Sequence, residues 1–144
     1  MKDDLFSPRP LAGWYWVGGA VSLLLAAGAC ALYMLHLTAD PATLPLDQRT
    51  VFAAEPYWVT SAFGLSALAE LAAALLLLLR RKIAQPLGIV AFVGFLVWVA
   101  GLLAVPGLRE LISANDLAAA IAVAAASWTI FWFARHSGQR GWLR

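Results

Sequence analysis

A single carboxylate, Glu70, lies in the middle of a long apolar stretch at residues 57–79. A charged carboxylate at the centre of a membrane costs about 2.5–3.5 kcal/mol on insertion scales, so such a group usually faces a cavity or a polar partner. Glu70 therefore either carries a proton or a cation in a transport cycle, or is a neutral carboxylic acid that hydrogen-bonds between helices. Because no Lys or Arg falls at its depth, we expect Glu70 to be protonated at neutral pH.

Several hydroxyl side chains fall at or near the depth of Glu70 when the apolar segments are counted as helices rising 1.5 Å per residue. They are Ser22, Ser66, Ser127 and, one turn further along, Thr129. Each could donate a hydrogen bond to the carboxyl group. Glu70 and these four residues form the predicted intramembrane polar site.

Few other side chains could bind a cofactor or take part in catalysis, and they lie far apart in the sequence. Cys30 is the only cysteine, which excludes an intramolecular disulfide and a CxxC redox pair. His36 and His136 flank opposite ends of the apolar segments, so they cannot share a haem iron or a metal ion. Trp98 lies in mid-span, where it either lines a ligand cavity or packs against other helices. We expect no cofactor, no metal site and no catalytic residue, and hence no enzyme.

The composition explains why these residues are expected inside a membrane. Of the 144 residues, 62% are hydrophobic and 12% are charged, whereas a soluble domain has about 25% charged residues. A helix needs about 20 apolar residues to cross a bilayer. Four segments meet or approach that length, at about 12–35, 57–79, 84–106 and 117–134. The sequence predicts a single domain over residues 1–144, an all-α four-helix bundle that is integral to the membrane.

Positive charge is concentrated at one end of this predicted bundle. Four spans place both termini on the same side as the loop between the second and third spans. The basic residues of that side are Lys2, Arg9, Arg80, Arg81, Lys82, Arg135, Arg140 and Arg144, and those of the other side are Arg49 and Arg109. The positive-inside rule then predicts that both termini are cytoplasmic. Because the basic residues follow the topology, the charge does not indicate a nucleic acid partner.

The segment between the first two spans, residues 38–56, is the one sizeable piece outside them. Residues 46–54 fit a short helix with Val51 and Phe52 facing the membrane. Such a helix either lies at the interface or covers a binding site as a lid, and we favour the interface. Within the spans, small residues indicate where helices pack closely. Gly94 and Gly101 predict two such points in the third span.

Several short stretches also resemble a known group of proteins. They are Leu44-Pro45, Gln48-Arg49, Pro56-Tyr57-Trp58, Ala62-Phe63, Leu78-Leu79-Arg80-Arg81, Trp132-Phe133-Ala134-Arg135 and Arg140-Gly141-Trp142-Leu143-Arg144. Together they resemble small four-span, loosely DoxX-like bacterial proteins, which are often labelled sugar transporters. The resemblance implies the same fold and a bacterial inner membrane, and it carries no active site to transfer.

Two functions fit these observations best, ahead of a membrane-embedded enzyme or redox partner. The first is a small non-enzymatic accessory or structural subunit of a larger membrane complex, as the short loops and small-residue faces suggest. The second is a small oligomeric transporter in which Glu70 couples a proton to a solute. The partners expected are the lipid bilayer and either other membrane subunits or further copies of the chain. We favour the accessory subunit.

Overall fold

The computed structural model describes residues 11–144, so Lys2 and Arg9 lie outside the described residues. This part of the chain is helical and contains no strand. Its six helices are α1 (Trp14–Thr38), α2 (Leu46–Ala54), α3 (Tyr57–Leu78), α4 (Ala84–Ala104), α5 (Pro106–Arg109) and α6 (Ala114–Gln139). Four of them, α1, α3, α4 and α6, are long and apolar enough to cross a membrane. The predicted all-α four-helix bundle is confirmed.

The last helix is longer than the apolar segment that predicted it, 117–134. Ser113 and Asp116 form a capping box in which each side chain binds the other residue's backbone N–H, so α6 begins at Ala114. This arrangement satisfies N–H groups that a helix start leaves free. At the other end α6 continues through His136, whose ring stacks on Trp132 with centroids 5.3 Å apart. Hydropathy delimits the apolar segment and stops at the first polar residues, whereas the helix continues past them on both sides, from Ala114 to Gln139.

Glycines in α4 allow the central helices to approach closely. Gly94 faces Ser66 of α3, and a Cβ at this position would overlap the Ser66 hydroxyl oxygen. Gly101 faces the same helix further along, where a Cβ would lie 2.7 Å from the Trp58 ring. Both predicted points of close approach are therefore confirmed. They bring α3 and α4 together along most of their length, as expected where packing and not water expulsion drives helix association.

Helices α1 and α6 meet at the end of the bundle that carries the 80–82 loop, which we call the basic end. Gly18 of α1 faces Phe133 of α6, and a Cβ on Gly18 would lie 2.6 Å from that ring. Trp14 packs on the same phenylalanine with ring centroids 5.6 Å apart. Towards the opposite end, which carries α2 and which we call the α2 end, the space between α1 and α6 is part of a cavity.

The C-terminal segment folds back over the basic end. Trp142 and Leu143 are buried, and the backbone of Arg144 exchanges hydrogen bonds with the 80–82 loop. The Lys82 N–H donates to the Arg144 carbonyl at 3.1 Å, and the Arg80 Nε donates to the Trp142 carbonyl at 2.8 Å. Leu11 packs against the cluster that contains Trp142 and Leu143, so the first and last described residues are at the same end of the bundle.

Candidate functional site

Glu70 lies inside the bundle, as predicted, and its side chain is enclosed: the residue is 2% exposed. Ser127 of α6 lies beside its carboxyl group. The two side chains do not reach hydrogen-bonding geometry, since Glu70 Oε1 and Ser127 Oγ both lack a partner among the described residues.

The other three predicted hydroxyl groups donate hydrogen bonds to carbonyls of their own helices. Ser22 donates to the Gly18 carbonyl at 2.8 Å, and Ser66 donates to the Ala62 carbonyl at 2.6 Å. Thr129 is exposed and donates to a carbonyl one turn earlier in α6. Sequence counting placed these groups at a suitable depth, but their own helices supply a nearer acceptor. Of the four hydroxyls, the structure brings Ser127 to Glu70.

Apolar clusters lie one helical turn from Glu70 in both directions along α3. Ala67, one turn before it, packs with Phe63, Phe95 and other apolar residues. Ala74, one turn after it, packs with Ala26 and Ile130. The Cys30 thiol donates to the Ala67 carbonyl at 3.3 Å. These contacts favour a carboxyl group that stays neutral between helices.

The α2 end contains two adjoining cavities. The first, which we call the apolar cavity, measures about 380 Å³ and is lined mainly by Leu32, Phe63, Trp98, Leu102, Ile112 and Val123. The second, the polar cavity, measures about 500 Å³ and includes Asp47, Gln48, Ser113 and Asn115 in its lining. The two share His36, Val51, Glu55 and Asp116. We call the part lined by the polar and charged residues the mouth, and the part lined by the apolar residues the floor.

Trp98 both packs and lines this space. Its indole stacks on the Phe63 ring with centroids 4.6 Å apart and planes 26° apart. The same two rings form one wall of the apolar cavity. The two interpretations of Trp98 that the sequence left open therefore hold together: packing fixes the ring in place, and its free face borders the cavity.

The predicted short helix is present as α2, and it contributes to the wall of both cavities. Val51 packs against the buried cluster of Val59, Leu102, Leu108 and Ala120. Phe52 lies against the His36 ring, with centroids 4.8 Å apart. Val51 and Phe52 are thus turned towards the other helices of the protein, whereas the sequence predicted that they face the membrane; their own neighbours in the fold supply the apolar contacts.

A histidine and a carboxylate meet at the mouth of the apolar cavity. His36 Nε2 lies 3.3 Å from Glu55 Oε2, and the Glu55 side chain is 10% exposed. His36 belongs to the last turns of α1, and Glu55 directly follows α2. The contact therefore joins the end of α2 to α1. His136 lies near the end of α6, at the basic end of the bundle, and is therefore far from His36. Within residues 11–144, no three His, Cys, Asp or Glu side chains are grouped closely enough to hold a metal ion.

Sequence reasoning did not find the cavities. The acidic residues that line them, Asp47, Glu55 and Asp116, were not predicted to form a site. A signal was present in the distribution of charge, because Glu55 adjoins the predicted short helix and His36 ends the first span. Their proximity, however, depends on how α2 folds back.

The chain matches no protein-family model, no curated protein and no solved structure in comparisons with each. The resemblance to DoxX-like proteins therefore stays a prediction.

Proposed function

We propose that this protein is a non-enzymatic, multi-pass protein of the bacterial inner membrane that binds a small amphipathic molecule at the α2 end. The observation that carries the proposal is the joined space beneath α2, with carboxylates at its mouth and a Phe63–Trp98 stack on its floor. Ligand sites are typically concave, about 300–1,000 Å³ in volume and mostly apolar, with a few polar groups that orient the ligand. Both volumes fall within that range, and the lining of the apolar cavity is mostly apolar.

The location of the space supports a ligand that reaches it from outside the cell. Lys and Arg cluster at the basic end, in the 80–82 loop and near the C-terminus, whereas the α2 end holds Arg49 and Arg109. By the positive-inside rule this distribution favours cytoplasmic termini and an α2 end that faces the outer side. A molecule dissolved in the outer leaflet or in the outer water layer would then have the shortest path.

Photoaffinity labelling tests the proposal. The protein in lipid nanodiscs is irradiated with an uncharged aryl diazirine, and labelled peptides are identified by mass spectrometry. We expect labels on the cavity wall, at Phe63, Trp98 and Val123, that an unlabelled aryl compound competes away. Lipid-facing residues would carry only labels that do not compete.

Two neighbouring substitutions distinguish labelling in the apolar cavity from labelling on the lipid-facing surface. Val123→Trp fills the apolar cavity, whose wall includes Val123, and should abolish competed labelling. Ala122→Trp places the same ring on the exposed side of α6 and should leave it unchanged. Equal labelling of all three proteins, or labels spread evenly over lipid-facing positions, would rule out the binding site.

An accessory subunit is the second candidate, favoured by the exposed face of α6. Ala118, Ala122, Ala125 and Thr129 follow one another along this face and are all exposed. Small side chains allow another helix to pack closely in lipid. Extraction in mild detergent followed by mass spectrometry decides the matter: stoichiometric co-migration with a larger complex supports this function, and a lone monomer or homo-oligomer excludes it.

Proton-coupled transport through Glu70 is a further proposal from the sequence. The unpaired Glu70 and Ser127 oxygens favour it, whereas the apolar clusters one turn away in both directions separate the carboxyl group from water. If Glu70 couples transport, Glu70→Gln abolishes pH-dependent uptake or efflux of the solute. If Glu70 is structural, the same variant retains full function, because the amide keeps the shape of the acid.

A further inference from the structure

The mouth of the joined cavities is acidic. Three carboxylates line it, those of Asp47, Glu55 and Asp116, and the only basic side chain among the lining residues is His36. Because like charges repel across such a short distance, a mouth of this composition disfavours an anionic ligand and favours a cationic one.

Within the described residues, the arginines of this end form no ion pair with the carboxylates of the mouth, whose one ion-pair contact is to His36. The Arg49 guanidinium donates hydrogen bonds to the carbonyls of Ala42 at 2.7 Å and Leu44 at 3.3 Å, so it is held by the loop before α2. Arg109 lies with Glu110 in a separate recess near α5. Arg49 keeps its charge near the mouth, since Leu44 also lines the polar cavity, but within the described residues the three carboxylates there outnumber it and leave an excess of negative charge.

Glu55 is the carboxylate best placed to meet a ligand. Its side chain is largely withdrawn from water, and it lines the polar and the apolar cavity alike. A carboxylate in this setting loses hydration and gains from a charged donor. His36 supplies one contact to one of the two oxygens, which leaves the group able to accept a second donor.

The floor of the apolar cavity suits an aromatic or aliphatic body. The stacked rings of Phe63 and Trp98 lie on one side, and Leu102 and Val123 complete the wall. Binding to such a surface becomes more favourable in proportion to the apolar area that a ligand covers. The surface offers few groups that a polar ligand body could bind.

We infer that the ligand is an amphipathic amine: an organic cation whose ammonium group binds Glu55 at the mouth and whose apolar body lies against Phe63 and Trp98. Asp47 and Asp116 add attraction at the mouth without being required for contact. The inference rests on the proposed binding function and specifies the chemistry of its ligand. Anionic amphiphiles are disfavoured by the same carboxylates.

Three analogues of one shape test the inference against the uncharged diazirine label. They are 4-phenylbutylamine, 4-phenylbutan-1-ol and 4-phenylbutanoate, which differ in the charge of the head group. Nanodiscs of phosphatidylcholine keep the membrane surface free of net charge. We expect the amine to compete at a concentration about tenfold lower than the alcohol, as one charge-assisted hydrogen bond would give. The carboxylate should compete worst.

Glu55→Gln provides the decisive variant and Glu110→Gln its control. Glu55→Gln should reduce the advantage of the amine over the alcohol to nearly nothing, while the uncharged label still reaches the cavity wall and so reports a folded site. Glu110→Gln changes a carboxylate of the same end that lines a separate recess, and it should preserve the tenfold preference. Comparison between proteins in the same membrane cancels differences in how the analogues partition into lipid.

The outcomes distinguish the ligand's chemistry from the binding function. If the alcohol competes as well as the amine in the unmodified protein, or if Glu55→Gln keeps the preference, the inference is overturned and the cavity binds neutral apolar molecules. If the uncharged label gives no competed site in any of the three proteins, the binding function itself fails.

Discussion

The backbone N–H of Arg144 donates a hydrogen bond of 2.6 Å to the carbonyl of Arg80. This contact joins the last residue of the chain to the loop between α3 and α4, and it sits beside a second anchor, the hydrogen bond from the Tyr15 hydroxyl to the Leu77 carbonyl. Trp142 packs between them, with its ring 5.6 Å from that of Tyr15. The basic end is therefore closed by three segments that are distant in sequence.

Trp142→Ala should destabilise the bundle strongly. Trp142 is 5% exposed, and truncating a buried tryptophan costs about 3–5 kcal/mol of unfolding free energy in typical cores. The control is Trp132→Ala, which removes the same side chain from a position 52% exposed. Unfolding in mixed micelles of increasing denaturing detergent measures both, and equal stability of the two variants would show that the C-terminal segment does not hold the bundle together.

Gly94→Ala should weaken the contact between α3 and α4. The added methyl group overlaps Ser66 Oγ, and relief by moving the helices costs about 1–3 kcal/mol. Gly28→Ala is the matched control, because a Cβ there meets nothing within 4 Å. The same unfolding assay measures both variants.

A second substitution tests the cause of the Gly94 effect. Ser66→Ala removes the overlapping oxygen, so the double variant Gly94→Ala with Ser66→Ala should recover part of the lost stability. The recovery should be partial because Ser66 Cβ would still lie 3.2 Å from the new methyl group. No recovery at all would place the strain elsewhere.

Glu70 should give the infrared band of a protonated carboxylic acid at neutral pH. The apolar clusters on both sides of it disfavour a charge. Glu70→Gln should remove this band and change the unfolding free energy by less than about 1 kcal/mol, since the amide can replace the acid in neutral hydrogen bonds. Glu110→Gln, at an exposed position, should leave the band unchanged. A carboxylate band from Glu70 at neutral pH would contradict the prediction.

Labelling of introduced cysteines should report opposite sides of the membrane for the two ends of the bundle. In a Cys30→Ala background, a cysteine replacing the exposed Asp40 should react with an impermeant maleimide added to intact spheroplasts. One replacing the exposed Lys82 should react only after the membrane is opened. The reverse pattern would invert the proposed orientation and place the α2 cavities in the cytoplasm.

The apolar lengths in the sequence determined the main architecture. Each of the four segments carries too many consecutive apolar residues to be solvated by water, and a helix satisfies its own backbone in lipid. The short helix at 46–54 was also predicted, because the prolines on either side of it delimit the segment. The close approaches at Gly94 and Gly101 were predicted because they depend on the size of single side chains. The burial of Glu70 followed from its place in the same pattern.

The site, by contrast, was decided by the tertiary structure. Counting depth along a helix cannot show that Ser22 and Ser66 satisfy their hydroxyls within their own turns, or that Ser127 alone of the four turns to Glu70. Nor can it show that Trp142 and Leu143 are buried or that α2 folds over a cavity. Segment length and composition are properties of a single stretch of chain, whereas the cavity at the α2 end exists because α1 and α6 meet at Gly18 and Phe133 and are separated at the other end. That geometry depends on the side chains of all four long helices packing at once.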